Sequence, residues 1–187
     1  MTDSSTPATG ALPAALLVAS PAMEDPFFER TVVLLWHHDE DGAMGVVLNR
    51  AIEQPLSDVL DLELDLEDYP TGLITLGGPV DTDSGTVVTT GAISDEEGWQ
   101  LESGLAVTRS QDALIQILRR RDPLILCLGY ASWGPGQLDQ EIEAGGWLFA
   151  EADPELVMSA ERETLYDRAL ASMGLSVQTA WFTPAEA

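Results

Sequence analysis

The sequence contains no lysine, and its eight cationic side chains are all arginines. Without lysine there is no phosphate-binding lysine of a P-loop and no Schiff base, so P-loop NTPases and pyridoxal-phosphate enzymes are excluded. Asp and Glu number 32, which gives a formal net charge of −24 at pH 7. Because nucleic-acid binding depends on cationic contacts to phosphates, direct binding to DNA or RNA is not expected.

The acidic excess has two interpretations. High net charge keeps proteins soluble and is used by halophiles, and a codon bias against lysine would have the same result. A specific cationic partner is the other interpretation, and composition alone favours the environmental one. The acidic segment at residues 58–68 lacks the ligand spacing of an EF-hand loop, so a solvated face is favoured there over a cation site.

Cysteine and long apolar runs are also scarce. The single cysteine, Cys127, excludes an intramolecular disulfide and fits a reducing compartment. The apolar run at residues 11–19 is too short to span a bilayer, and no Lys or Arg precedes it as in a secretory signal. We therefore expect a cytoplasmic protein without a membrane partner, and no cofactor is predicted.

Interspersed strand and helix signals predict a single α+β domain over residues 12–187, after a disordered tail at residues 1–11. The predicted strands are residues 14–19, 31–36, 43–49, 73–76, 85–89, 105–108, 124–128, 147–150 and an edge strand at 177–183. The predicted helices are residues 110–121 capped by Ser110, 137–143, 160–173 and a short acidic helix after residue 56 capped by Ser57. The polar turn at residues 37–42 requires an antiparallel pair, so a regular βαβ array is excluded.

Four motifs occur in order along the chain. They are LLVASPAMEDPFFERTVVLL at residues 16–35, DGAMGVVLNR at 41–50, LGGPV at 76–80 and LGYASWGPGQLDQEI at 128–142. In order and spacing they resemble the YqgE/AlgH family of bacterial proteins. The resemblance implies a mixed, largely antiparallel sheet, split and curled into a pseudo-barrel with flanking helices. The resemblance implies no particular catalysed reaction, and family members have been labelled transcriptional regulators.

Some positions depart from the family's usual pattern. Ser84 stands where the family usually has Arg, Thr89 where a strand often ends in His, and Tyr166 where the last helix has Trp. The tail at residues 181–187 does not match the customary ending either. A mechanism that needs that Arg or that His is therefore not expected in this chain.

The reactive residue types do not form a recognised catalytic pattern. Ser132 follows a strand and a sharp turn, but Tyr130 stands where the nucleophile elbow G-x-S-x-G requires glycine. Cys127 lies within an apolar strand, where a thiol serves packing. His37 and His38 are adjacent in an acidic turn and point opposite ways, so a solvated turn is favoured over a metal site.

Two glycine-rich segments at strand ends are the predicted binding surface. Their aromatic and amide side chains suit a peptide or a planar ligand, through stacking and hydrogen bonding. The predicted contact residues are Asn49, Arg50, Gly77, Gly78, Pro79, Tyr130, Trp133, Gly134, Gly136 and Gln137. Arg50 is expected to pair with Asp139 or Glu141. The alternative is that the glycines serve tight turns and that Trp133 closes the end of the pseudo-barrel.

The sequence therefore predicts a non-catalytic binding or regulatory protein that acts through a protein or small-molecule partner. The alternative is a hydrolase-type enzyme that uses the cleft near the GGPV and GYASWGPGQ turns.

Overall fold

A computed structural model describes residues 15–70, 73–158 and 161–180. The strands within these ranges are β1 (Ala15–Ala19), β2 (Val32–Asp39), β3 (Gly42–Val47), β4 (Ala51–Ile52), β5 (Ile74–Leu76), β6 (Val80–Thr89), β7 (Gly98–Gln100), β8 (Ala106–Thr108), β9 (Leu124–Trp133) and β10 (Trp147–Glu151). The helices are α1 (Leu56–Val59), α2 (Gln111–Arg120), α3 (Gln137–Glu143), α4 (Pro154–Val157), α5 (Leu165–Ser172) and α6 (Val177–Ala180), with a 3₁₀ turn at Arg162–Thr164 before α5.

The strands form one mixed, largely antiparallel sheet in the order β10-β1-β2-β3-β9-β6-β8-β7. One edge of the central strand β9 pairs with β6, and the other edge is shared by two strands. β5 runs parallel to β9 along Leu126–Leu128, and β3 runs antiparallel to it along Ala131–Trp133. Because two strands leave one edge in different directions, the sheet splits and curls into a half-barrel. The predicted α+β fold in a single domain is confirmed.

Two apolar clusters fill the fold. The larger one packs β1, β2 and β3 against β9, β10 and α5, and the smaller one packs α2 against β5 and β9. Ser110 caps α2 as predicted, because its Oγ accepts a hydrogen bond of 3.2 Å from the N–H of Ala113. The β2–β3 hairpin and α3 also follow the prediction.

The predicted end of the central strand at residue 128 is wrong. β9 continues through Gly129 to Trp133, and its later residues pair with β3. Gly129 has a positive φ of 73°, which is typical of a turn and which only glycine adopts without cost. In this fold the glycine lets the strand bend where its neighbour changes from β5 to β3, so Gly-Tyr does not mark a turn.

Several smaller predictions also need correction. α1 is a single turn with Pro55 rather than Ser57 at its N-cap position. β6 begins at Val80 and not at residue 85, and residues 81–84 bulge out of its ladder with β9. The helix predicted from residue 160 begins only at Leu165. The predicted edge strand at 177–183 is wrong, because Val177–Ala180 is helical, and the remainder lies outside the described residues. The predicted tail at residues 1–11 also lies outside them.

Candidate functional site

The segment Gly77-Gly78-Pro79 is a backbone joint between β3 and β9. Gly77 donates its N–H to Leu128 O at 2.7 Å and accepts a hydrogen bond from the N–H of Val47 at 2.7 Å. A Cβ on Gly77 would lie 2.5 Å from Gly129 O, and one on Gly78 would overlap the backbone carbonyl of Tyr130. The two glycines are therefore required by the close approach of two backbones, while Pro79 is exposed beside them.

Asn49 and Arg50 brace the loop at residues 25–30. The Asn49 amide accepts a hydrogen bond from the N–H of Val32 and donates one to Arg30 O, both at 2.9 Å. The Arg50 guanidinium donates to the carbonyl oxygens of Phe27 and Glu29 at 2.7 and 2.9 Å. The predicted ion pair between Arg50 and Asp139 or Glu141 is wrong, because the guanidinium reaches the loop carbonyls instead.

Glu141 holds the two indoles at the end of the half-barrel. Its carboxylate accepts hydrogen bonds from Trp133 Nε1 at 3.0 Å and from Trp147 Nε1 at 2.8 Å. It also accepts one from Gln137 Nε2 at 3.1 Å, and Gln137 Oε1 accepts the N–H of Gly134 at 3.1 Å. We call Trp133, Trp147 and Glu141 the indole cluster.

The loop at residues 25–30 packs against the indole cluster through Phe28. Phe28 stacks on Trp133 with ring centroids 6.1 Å apart and meets the edge of Trp147 at 5.5 Å. Only 5% of the surface of Trp133 and 1% of that of Trp147 is exposed. The structure thus brings Asn49, Arg50 and Trp133 to one packed end of the fold, with Gly134 and Gln137 exposed at its surface and Gly136 at the N-cap of α3.

Tyr130 lies away from that packed end, on an open surface. The guanidinium of Arg109 lies over its half-buried ring, 5.1 Å from the ring centroid. Arg109 also contacts Asp81 at 3.6 Å and Ser84 Oγ at 3.1 Å. A cleft of about 220 Å³ beside Arg109 is bordered by Trp99 and by the acidic turn at residues 95–97.

The chain is similar in sequence to known proteins. The sequence profile described as AlgH-like matches residues 16–178, which is most of the chain. The chain belongs to the AlgH-like family. Relatives named UPF0301 protein from Chromobacterium violaceum and Caulobacter vibrioides are each 40% identical to it. The first alignment spans 84% of this chain and 88% of the relative, and the second spans 86% of each.

Solved structures of the AlgH-like fold agree with the half-barrel. The solution structure of AlgH from Pseudomonas aeruginosa, a UPF0301 protein, superposes with a TM-score of 0.71 at 34% identity over 100% of both chains. A crystal structure of a protein from Corynebacterium diphtheriae gives a TM-score of 0.75 at 26% identity, over 91% of this chain and 92% of that one. The resemblance to the YqgE/AlgH family is confirmed.

The reactive side chains of this AlgH-like chain form no nucleophile–base pair within the described residues. A nucleophile and its base must lie within about 3 Å of each other. His37 Nε2 contacts Asp39 Oδ2 at 3.0 Å and His38 Nε2 contacts Asp139 Oδ1 at 3.1 Å, and neither ring is hydrogen-bonded to Ser132 in this part of the chain. Cys127 is fully buried, and burial raises the pKa of its thiol to about 12, which keeps it protonated and unreactive at neutral pH.

Sequence reasoning missed the burial of one cation. Arg162 is 4% exposed, and burial lowers the pKa of its guanidinium to about 10, so it stays charged at neutral pH. Among the described residues its hydrogen bond is to Leu48 O at 3.4 Å. Nothing in the apolar pattern around residue 162 distinguishes this arginine from exposed ones, so the burial had no signal in the sequence.

Sequence reasoning also missed an open groove between β10 and the helices that follow it. The groove has a volume of about 610 Å³ and lies against β10, the start of α4 and the end of α5. Phe149 lines it and is 48% exposed, whereas its neighbours Trp147 and Leu148 on β10 are buried. The groove therefore leaves an aromatic side chain of the last strand of the sheet open to solvent.

A metal-ligand cluster and a membrane-spanning helix are both absent from residues 15–70, 73–158 and 161–180. Within these ranges no three His, Cys, Asp or Glu side chains converge as metal ligands. The same part of the chain has no helix with the length and apolar character of a membrane span.

Proposed function

We propose that this chain is a non-catalytic binding protein and that a protein partner docks in the groove between β10 and α5. The observation that carries the proposal is the exposure of Phe149, a large apolar side chain that is 48% exposed. An aromatic side chain beside an open groove of about 610 Å³ provides the kind of anchor on which interfaces depend.

A protein partner fits the charges better than a nucleic acid does. The strongest cluster of cations is Arg119–Arg121, and two of its members already have acidic neighbours. Arg120 contacts Asp122 at 2.7 Å, and Arg121 contacts Asp68 at 3.4 Å. With a net charge of −24 around them, these arginines offer little attraction to phosphates. If the chain takes part in transcriptional regulation, it does so through a partner protein.

A small-molecule site at Tyr130 is the second candidate. The guanidinium of Arg109 over the Tyr130 ring and the cleft beside Trp99 form a polar, aromatic surface that suits a planar ligand. Pro79, an exposed residue of the predicted set, lies close to this surface, because the next residue, Val80, pairs with Tyr130. The hydrolase alternative has less support, because the rings of His37 and His38 contact carboxylates and neither is hydrogen-bonded to Ser132 in the described residues.

Photo-crosslinking in cells tests the docking proposal. A benzophenone amino acid replaces Phe149 in one strain, Tyr130 in a second and exposed Glu63 in a control strain, and crosslinked proteins are identified by mass spectrometry. We expect a discrete partner at position 149 and none at position 63. The identified partner, purified, should bind the Phe149→Ser variant at least tenfold more weakly. Circular dichroism should show that the variant is still folded, because 48% of Phe149 is already exposed.

Unchanged affinity for Phe149→Ser would overturn docking in the groove. A partner or ligand captured at position 130 alone would favour the second candidate instead.

A further inference from the structure

We infer that β10 binds a basic, extended segment of the partner, which pairs with its free edge as an added strand. The inference rests on the proposed docking function and adds the chemistry and conformation of the bound segment. Three observations carry it: the free edge of β10, the direction of its backbone groups and the acidic rim of the adjacent groove.

The first observation is that β10 has one neighbour. It pairs with β1 along Ala15–Ala19 and stands at the end of the strand order, so its other edge has no strand partner among the described residues. An exposed strand edge is a template for another chain. Proteins often protect such edges with charged residues or proline, but β10 carries one charge, Glu151 at its end.

The second observation is the direction of the backbone groups. Ser20 donates its N–H to Gly146 O at 2.9 Å, which fixes the alternation of the antiparallel ladder between β1 and β10. Leu148 and Ala150 therefore point their N–H and C=O groups at β1, and Phe149 and Glu151 point theirs away. The outward groups of Phe149 and Glu151 form no hydrogen bond with the described part of the chain. An added strand would satisfy both residues at once.

The third observation is the charge beside this edge. Glu151, Asp153 and Glu155 line the groove and are exposed, whereas Arg168 is the cation that faces them. The rim therefore adds to the field of a chain with a net charge of −24. Such a field attracts cationic segments and repels acidic ones. A guanidinium of the partner can also lie on the face of Phe149, the exposed ring of the groove.

The same charges disfavour the other occupants of the edge. A second copy would place two acidic rims against each other, which costs free energy through like-charge repulsion. The segments of this chain outside the described ranges contain no Lys or Arg, since all eight arginines fall within them. Neither a second copy nor the chain's own termini supplies the cations that the groove favours.

Fluorescence anisotropy at an ionic strength of about 0.15 M, where the Debye length is about 8 Å, tests the inference with a labelled hexapeptide that alternates valine and arginine. Two control peptides have the same length: one carries glutamate in place of arginine, and the other is N-methylated at alternate residues, which removes the backbone donors of one edge. We expect the basic peptide to bind at least tenfold more tightly than either control. The variant Phe149→Ser and the double variant Glu151→Lys with Glu155→Lys should each weaken it at least tenfold.

The matched control is the double variant Glu63→Lys with Glu67→Lys, which makes the same change in charge on exposed residues away from the groove. It should bind the basic peptide within about twofold of the parent, because screened distant charges contribute little.

Equal binding of the three peptides, equal losses in the two double variants, or no binding would overturn the inference. Self-association that depends on Phe149, seen by sedimentation, would overturn it as well. A neutral or helical partner crosslinked at position 149 would overturn the inference and leave the docking function standing.

Discussion

Gly78→Ala is expected to destabilise the protein by about 4 kcal/mol or more, which is comparable with the whole stability of many domains. The reason is geometric. A Cβ at this position would overlap the backbone C and O of Tyr130, and a backbone in the middle of a sheet cannot move aside as a flexible side chain can. Soluble yield and thermal unfolding followed by circular dichroism are the measurements, with little or no folded variant as the expected result.

Gly134→Ala is the matched control, because Gly134 belongs to the same predicted binding surface. Its φ lies outside the left-handed range, and a Cβ would find Gln137 Oε1 as its nearest neighbour at 3.8 Å. The expected change is within about 0.5 kcal/mol, as for most surface substitutions. Were Gly78→Ala to melt within a degree or two of the parent, Gly78 would not be required by the joint between Gly77-Gly78 and β9.

Glu141→Ala is expected to cost about 3 kcal/mol, because it leaves two indole N–H groups unpaired at the end of the half-barrel. Trp133 and Trp147 are 5% and 1% exposed, so water cannot easily replace the carboxylate, and an unsatisfied buried donor costs about 1–3 kcal/mol. Urea unfolding followed by tryptophan fluorescence measures the loss. The midpoint should fall while the denaturant slope stays the same.

Two variants separate the hydrogen bonds of Glu141 from its charge. Both indoles donate to the same oxygen, Glu141 Oε2, so the amide oxygen of Glu141→Gln can keep both bonds. This variant should therefore lose less than half as much stability as Glu141→Ala. Glu143→Ala removes the same charge from the same helix at an exposed position, and its stability should stay within about 0.5 kcal/mol of the parent. Equal stabilities of the two alanine variants would contradict the role of Glu141 in the indole cluster.

Local patterns were sufficient to predict the elements that depend on neighbouring residues. The apolar segments of β1 and β2, the polar turn before β3 and the Ser110 cap of α2 each act within a few residues of chain. The course of β9 beyond Gly129 was not predictable in this way, because a positive φ usually marks a turn. The pairing of Ala131–Trp133 with β3 overrides that local preference and keeps the strand extended.

The candidate site shows the same limit. The sequence drew attention to Trp133 and Gln137, and these residues do lie together, but the side-chain N–H groups of both donate to Glu141 of the same chain. The exposure of Phe149 depends on where α4 and α5 lie beside β10, and that packing is a property of the whole fold. An all-apolar strand is equally compatible with a central and an edge position, so the open groove could not be foreseen.

Amide hydrogen exchange along β10, measured by NMR with and without the basic hexapeptide, tests the central claim most directly. In the free protein the amides of Leu148 and Ala150 should be protected by β1, and those of Phe149 and Glu151 should exchange rapidly. With the basic peptide bound, the amide of at least one of the two outward residues, Phe149 or Glu151, should become protected, while the glutamate peptide should change neither. Protection of Phe149 and Glu151 in the free protein, or unchanged exchange with the basic peptide at saturation, would contradict a free edge that binds an added strand.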